Sequence, residues 1–385
     1  MRKNPSTVLL ALGGFAAMAA GIGIGRFVYT PILPPMQEAV GFGKTAAGLI
    51  ASANFAGYLL GALAVTGARL PGSRRAWLLG ALVLSGVTTA AMAVSSSLLL
   101  FALLRCIGGI ASAWALILSS SLVLDRLAAS GRPGLAALHF AGVGIGMAAS
   151  GAIVASLLSL GFGWRAMWLA SGGLSLAGTL AVALLVPAGG DAPPAKSATR
   201  ESPDPRLRRM TLAYGLFGFG YVITATFLVA IVRATPAVRP LEPAIWVIAG
   251  LAAAPSVMLW TAIGRRFGVA TGFAAAALTE AAGVLSAVAW PTAAGICLAA
   301  ILVGGTFMGL TAMGLMRARE LARGDTRRVM ATMTGAFGIG QIVGPALAGF
   351  VSDRAGGFAL PSAAAAAALV LAAFLARYRS TTSSS

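Results

Sequence analysis

The sequence predicts an all-α membrane protein of twelve transmembrane helices in two pseudo-symmetric six-helix bundles. Three observations carry this reading. Apolar residues fill 58% of 385 positions against 10% charged, apolar runs of span length recur along the whole chain, and the two halves match at a near-constant offset. A water-soluble domain of this composition would need a wholly apolar surface. Runs of about 20 residues cover the roughly 30 Å of bilayer hydrocarbon at 1.5 Å per residue, and a helix keeps every backbone group paired within its own segment. A β-barrel would instead show shorter, alternating stretches.

Segment 1 (8–34) follows Arg2 and Lys3; its basic start resembles a secretory signal, but the run is too long and lacks a cleavage pattern, so it is kept as a span. Segments 2 and 3 (45–67, 76–95) flank the turn sequence "RLPGSRR". Segment 4 (98–123) runs to Asp125 and Arg126, and segments 5 and 6 (134–160, 165–186) complete the first set. The polar stretch "PAGGDAPPAKSATRESPDPRLRRM", rich in Pro, Ser and charge, then reads as a linker. Segments 7 to 12 (209–232, 243–262, 269–290, 293–316, 329–351, 358–376) repeat the pattern. The expected division is a bundle over 1–187, a cytoplasmic linker over 188–208 and a bundle over 209–385.

The loops carry a charge bias. Of 28 basic residues, 21 fall on the side of the N-terminus, among them Arg74, Arg75, Arg126, Arg208, Arg265 and Arg328. By the positive-inside rule both termini are cytoplasmic, as in a multi-pass protein of a bacterial inner membrane. The net charge of +18 therefore reflects topology and contact with anionic lipid head groups, not nucleic acid. Cys106 and Cys297 lie inside spans and read as small buried residues, not a disulfide framework.

Internal duplication is visible in three places. "GIGIGRFVYTP" in segment 1 aligns with "FGFGYVITAT" in segment 7, pairing Gly23 with Gly218 and Arg26 with Tyr221. "GIGMAASGAIVA" in segment 5 aligns with "GIGQIVGPALAG" in segment 11, and "RCIGGIASA" in segment 4 with "ILVGGTFMG" in segment 10. Two parallel six-helix repeats joined by a linker resemble the plan of the major facilitator superfamily. Within it, "GIGRFVYTPILPPMQ" and "GFGYVITATFL" resemble the YbfB/YjiJ family. Arg105 followed by Gly108, Gly109, Ala111 and Ala113 resembles the superfamily's helix-4 motif, and Gly340, Gly344, Pro345 and Gly349 its glycine-proline signature. The Asp of the motif after helix 2 is missing: "RLPGSRR" keeps only Arg74 and Arg75, and the second copy "IGRRFG" has Arg265 at that place. The resemblance implies the fold but not the charge lock that this Asp provides elsewhere.

Most glycines have a packing explanation. Ala17, Gly21 and Gly25 form a small-xxx-small stripe on segment 1 and Gly142, Gly146 and Ser150 one on segment 5, so these segments are expected to pack, with 7 and 11 repeating the contact. Arg26 has no such explanation. A charge deep in a span is costly unless it meets a partner, water or a bundle interior. On a regular helix it shares a face with Tyr29 and Thr30, which can hydrogen-bond what it holds. Snorkelling to the external head groups is the competing reading.

Arg105 lies at comparable depth in segment 4, and only Glu280, on segment 9, is acidic mid-span. The missing counter-charge points to an anionic ligand held by guanidinium forks. The second half offers Tyr214, Tyr221 and Thr224 on one face of segment 7, and Thr334, Phe337 and Gln341 on one face of segment 11, as a neutral, aromatic wall. His139 and Glu280 are candidates for proton coupling or for structural hydrogen bonds. Asn54 and Tyr58 face either the cavity or a neighbouring helix. The tryptophans read as interface anchors.

These observations imply a secondary active or facilitated transporter for a small organic anion, working by alternating access around a midplane site, with membrane lipids and protons as further partners. A proton-driven exporter of drugs or amphipathic metabolites is the alternative. No cofactor is expected: the sequence contains no nucleotide-binding motif or soluble module, and one histidine with one distant acid is a thin basis for an enzyme.

Overall fold

The computed structural model describes residues 7–67, 71–187, 204–322 and 326–377. Twelve helices are present among them: α1 (Thr7–Val40), α2 (Lys44–Gly67), α3 (Arg74–Ala91), α4 (Leu98–Ala129), α5 (Ala136–Ser159), α6 (Trp164–Leu185), α7 (Pro205–Ala234), α8 in two pieces (Glu242–Ala253 and Ser256–Phe267), α9 (Val269–Ala289), α10 (Ala293–Leu321), α11 (Thr326–Ala355) and α12 (Ala359–Arg377). No strand occurs in the described residues.

Ten of these are long and apolar enough to cross a membrane unaided. An eleventh, α8, does so as a bent pair with a 41° break; the expected segment 243–262 is therefore not one straight rod. Pro255 sits at the break, where its missing N–H and its ring interrupt the helical bonds. The twelfth, α3, has 18 residues but begins with Arg74 and Arg75, which lower its apolar average. Leu99, Leu180, Leu184 and Phe374 are each more than 60% exposed, the coat that a lipid-facing surface requires.

Of the expected linker, 188–203 lies outside the described residues. Its last part is helical instead: α7 starts at Pro205, with the Asp204 carboxylate accepting from the Arg206 amide at 2.8 Å. An acidic N-cap followed by proline at the first helical position is a strong start signal.

The helix contacts are duplicated. Within the first half α1 packs on α5 and α6, α2 on α4, and α3 on α4 and α6; within the second, α7 packs on α11 and α12, α8 on α10, and α9 on α10 and α12. Between halves, α2 meets α11 and α5 meets α8, two contacts that a two-fold axis exchanges, while α1 meets its own counterpart α7. The expected pairing of segments 1 with 5 and 7 with 11 is present. Four tryptophans expected as interface anchors are buried instead: Trp168 and Trp246, beside Tyr29 and Phe27 respectively, Trp164 against Phe101, and Trp260, whose indole N–H donates to the Gly305 carbonyl.

The halves close on each other at the face where α1 ends and α2 begins, called here the far face. Gly48 backs onto the Pro345 carbonyl and Gly349 onto that of Lys44, so neither position has room for a side chain. Asp353 of α11 accepts from the Lys44 amide (3.1 Å), the Thr45 amide (2.8 Å) and the Thr45 hydroxyl (2.6 Å), capping the first turn of α2 from the opposite half. Arg233 of α7 pairs with Glu242 at 2.6 Å and reaches Glu38 of α1 at 2.8 Å.

Candidate functional site

The first helix changes its winding near mid-span. Ala19–Ile24 is π-helix: the amides of Gly25 and Phe27 donate five residues back, to the carbonyls of Ala20 (3.0 Å) and Ile22 (3.3 Å), before α-helix resumes at Tyr29. Pro31 contributes. It has no N–H and its ring excludes the Phe27 carbonyl, which the Thr30 amide takes at 3.2 Å. Gly23 faces Gly146 of α5, with no space for a Cβ on either; Gly21 faces Ala115 of α4 and Gly25 faces Ser85 of α3. The expected packing of Gly21 and Gly25 on α5 is thus corrected to Gly23, which lies four residues after Ala19 and eight after Phe15, the positions that Gly146 and Gly142 of α5 meet.

The irregular winding leaves the Gly25 and Arg26 carbonyls for a partner outside α1, and Arg105 supplies it. Its Nη1 donates to the Gly25 carbonyl at 2.9 Å and its Nη2 to the Arg26 carbonyl at 2.6 Å. Asn54 of α2 donates in turn to the Arg105 carbonyl at 2.8 Å. The guanidinium is 4% exposed and lies 5.4 Å from the Tyr29 ring centre. Arg105 was expected to hold a ligand; its terminal nitrogens are engaged by backbone, so its charge secures the interruption in α1.

Arg26 is in the opposite condition. It is 7% exposed, its Nε and Nη2 have no hydrogen-bond partner, and no acidic side chain among the described residues pairs with it. Its guanidinium is surrounded by rings, with Tyr58 at 4.3 Å, Phe55 at 4.6 Å and Phe27 at 5.5 Å. Such contacts stabilise a cation partly, and Tyr58 also hydrogen-bonds the group, but its Nε and Nη2 remain unsatisfied.

Tyr29 donates to the Ala47 carbonyl at 2.9 Å, and Thr30 donates across the halves to the Ala225 carbonyl at 2.7 Å. With Arg26, Phe55, Arg105 and Thr226 they line a cavity formed by both halves. In this conformation it measures about 10 Å³, room for a single water molecule.

The second half contributes a continuous aromatic wall. Phe307 meets Phe27 edge-on at 5.6 Å and lies parallel to Tyr221 at 5.7 Å; Tyr221 lies parallel to Phe337 at 5.8 Å, and Phe337 stacks on Tyr214 at 4.8 Å. Tyr214 donates to the Thr311 carbonyl at 3.3 Å. The Gln341 amide donates to the Tyr221 hydroxyl, leaving Gln341 Oε1 and Thr224 Oγ1 buried without partners. Tyr221 lies within electrostatic reach of Arg26, but Tyr214, Tyr221, Thr224 and Gln341 do not line the small cavity, to which the second half contributes Ala225 and Thr226.

The two proton-coupling candidates lie apart from each other. His139 is fully buried between α5, α1 and α4: its Nδ1 presses on Gly14 and its Nε2 lies 3.4 Å from the Ser120 hydroxyl. Glu280 is fully buried on α9 with neither oxygen hydrogen-bonded. Thr306 faces it but donates its own proton to the Leu302 carbonyl at 2.6 Å. Glu280 also lies within electrostatic reach of Tyr221, nearer the aromatic wall than a peripheral helix implies.

Phe55 and Phe307 were not singled out from the sequence. Phe55 had a signal: it precedes Tyr58 by three residues and so shares its helical face. Phe307 had none beyond its place three residues after Gly304.

No curated protein matches the chain in sequence. Among solved structures, the fold is similar to a bacterial homolog of the human lysosomal transporter Spinster, in an inward-facing and unoccupied conformation (TM-score 0.74, 14% identity, 97% of each chain covered). It is also similar to the nucleoside transporter NupG (TM-score 0.70, 16% identity, 97% of this chain and 99% of that one) and to a mutant of that transporter (TM-score 0.72, 16% identity, 95% and 98%). The model of the family described as uncharacterised MFS-type transporter YbfB matches residues 18–377. The chain therefore belongs to the YbfB family of membrane transporters, within the major facilitator superfamily.

Proposed function

We propose that this transporter carries a small organic anion, held through its carboxylate by Arg26 in the cavity between the halves. The carrying observation is the guanidinium of Arg26, nine-tenths buried with its Nε and Nη2 unpartnered. Those two nitrogens form one edge of the group, the edge that matches the two oxygens of a carboxylate. A buried cation without a counter-ion is expensive, and a ligand that supplies the missing charge recovers that cost on binding. The neutral wall of Tyr221, Thr224 and Gln341 then holds the rest of the substrate.

Transport proceeds by rocking of residues 1–187 against 209–385 about the linker 188–208. With the termini cytoplasmic, the far face is external, and the form described here is closed to the outside. Thr30, bonded to Ala225 across the halves, lies on the closing surface and is released when that side opens. The driving force is the substrate's own gradient, exchange or proton symport. Glu280, a buried carboxyl within reach of Tyr221, is the stronger proton candidate, and His139, wedged against Gly14, the weaker.

Nucleosides, named for the NupG structures, are neutral. A nucleoside base suits an aromatic wall but supplies no charge for Arg26. The test is a thermal-shift screen of purified protein against organic anions, cations and neutral metabolites, nucleosides included, repeated with Arg26→Gln. Anions are expected to stabilise the wild type and not the variant; stabilisation only by cations or by neutral compounds would overturn the proposal.

A further inference from the structure

Resting on that reading of Arg26, we infer that the substrate is a planar aromatic monocarboxylate, and not a dicarboxylate, a phosphate ester or an aliphatic acid. The charge count comes from the partition between the two buried arginines. Arg105 spends both terminal nitrogens on the Gly25 and Arg26 carbonyls and keeps only its Nε unpartnered, so Arg26 is the one guanidinium among the described residues of the cavity wall with a free two-nitrogen edge for a carboxylate. Second carboxylates and dianionic phosphates would enter a buried site with no cation left for them, and uncompensated buried charge is strongly disfavoured.

The shape comes from the rings. Tyr58, Phe55 and Phe27 surround the guanidinium, so a ligand coplanar with its open edge has aromatic surface beside it from the first atoms of its body. Beyond them, Phe307, Tyr221 and Phe337 lie parallel to within 5°. A flat ring joins such a column by offset stacking, whereas an aliphatic chain gains no ring-ring contact. The polar groups left open beside this column, Thr224 Oγ1 and Gln341 Oε1, are neutral and add no counter-charge. The cavity's small volume belongs to the form closed at the far face; a flat ligand requires the least separation of the walls.

The test compares binding of benzoate, butanoate, succinate, phenyl phosphate and benzamide to detergent-purified full-length protein by isothermal titration. It is repeated on Arg26→Gln and on Phe307→Leu, each first checked for a cooperative thermal transition. Benzoate is expected to bind at least tenfold more tightly than butanoate, succinate or phenyl phosphate. That binding is lost in Arg26→Gln, and the preference for benzoate over butanoate shrinks in Phe307→Leu. Equal or tighter binding of any of those three competitors, still dependent on Arg26, overturns the aromatic monocarboxylate and leaves the anion reading intact. Benzamide binding as well as benzoate, or binding of none of the anions, overturns both. Should Phe307→Leu fail to fold, Phe337→Leu probes the same column.

Discussion

Arg26 and Arg105 sit at comparable depth with the same formal charge, yet truncating them should do opposite things. Removing Arg105 leaves the Gly25 and Arg26 carbonyls without donors inside the protein. At about 1–3 kcal/mol for each unsatisfied buried group, Arg105→Ala is expected to destabilise by roughly 2–6 kcal/mol, read as a lower unfolding temperature in detergent. Arg26→Gln removes a buried charge that has ring contacts but no counter-ion, so its unfolding temperature should match or exceed the wild type while substrate affinity falls. A charge-assisted bond is worth about 1.5–3 kcal/mol, so that fall is at least roughly tenfold. This separation of stability from function is typical of residues kept for binding. The sequence revealed two buried charges and a shortage of acids, but not how the arginines divide the work. That division depends on which carbonyls the π segment frees, and i→i+4 reasoning on a regular helix cannot supply it.

At the scale of elements, spans and neighbours were legible, and so was the glycine face of α5. Gly142 and Gly146 of α5 do face α1, meeting the Phe15 and Ala19 carbonyls, as their spacing indicated. On α1 the stripe was misread because two sets of positions have the same spacing of four: Phe15, Ala19 and Gly23 face α5, whereas Gly21 and Gly25 face α4 and α3. The bend in α8 was likewise hidden, although Pro255 marked the place. The contact gives a direct comparison. Gly146→Val puts a Cβ about where the Ala19 carbonyl oxygen already sits, at 2.5 Å, whereas Gly335 has open space around it. Overpacking typically costs about 1–3 kcal/mol, so Gly146→Val should lower the unfolding temperature or the yield of folded protein, and Gly335→Ala should leave both unchanged.

Over the whole molecule, the duplication read from the sequence reappears as the exchange of the α2–α11 and α5–α8 contacts. What the sequence did not disclose is where the halves are tied. The Asp of the motif after helix 2 is absent, yet an equivalent device exists at the opposite end: Asp353 of α11 caps the first turn of α2. Only the fold brings together residues 308 positions apart. An N-cap is worth about 0.5–2 kcal/mol, so Asp353→Ala should shift the balance toward the form open at the far face by roughly twofold to thirtyfold. Spin-label distances between the far ends of α2 and α11 would measure it; an unchanged distance distribution would show that Asp353 does not hold the closed form.

The central claim is that one guanidinium, Arg26, recognises an anion in the course of transport. It is tested most directly by counterflow of a labelled aromatic carboxylate into proteoliposomes loaded with the same compound, comparing wild type with Arg26→Gln. The account predicts accumulation by the wild type and none by a variant that unfolds at the same temperature or higher. Equal accumulation by both, at unchanged affinity, would contradict it.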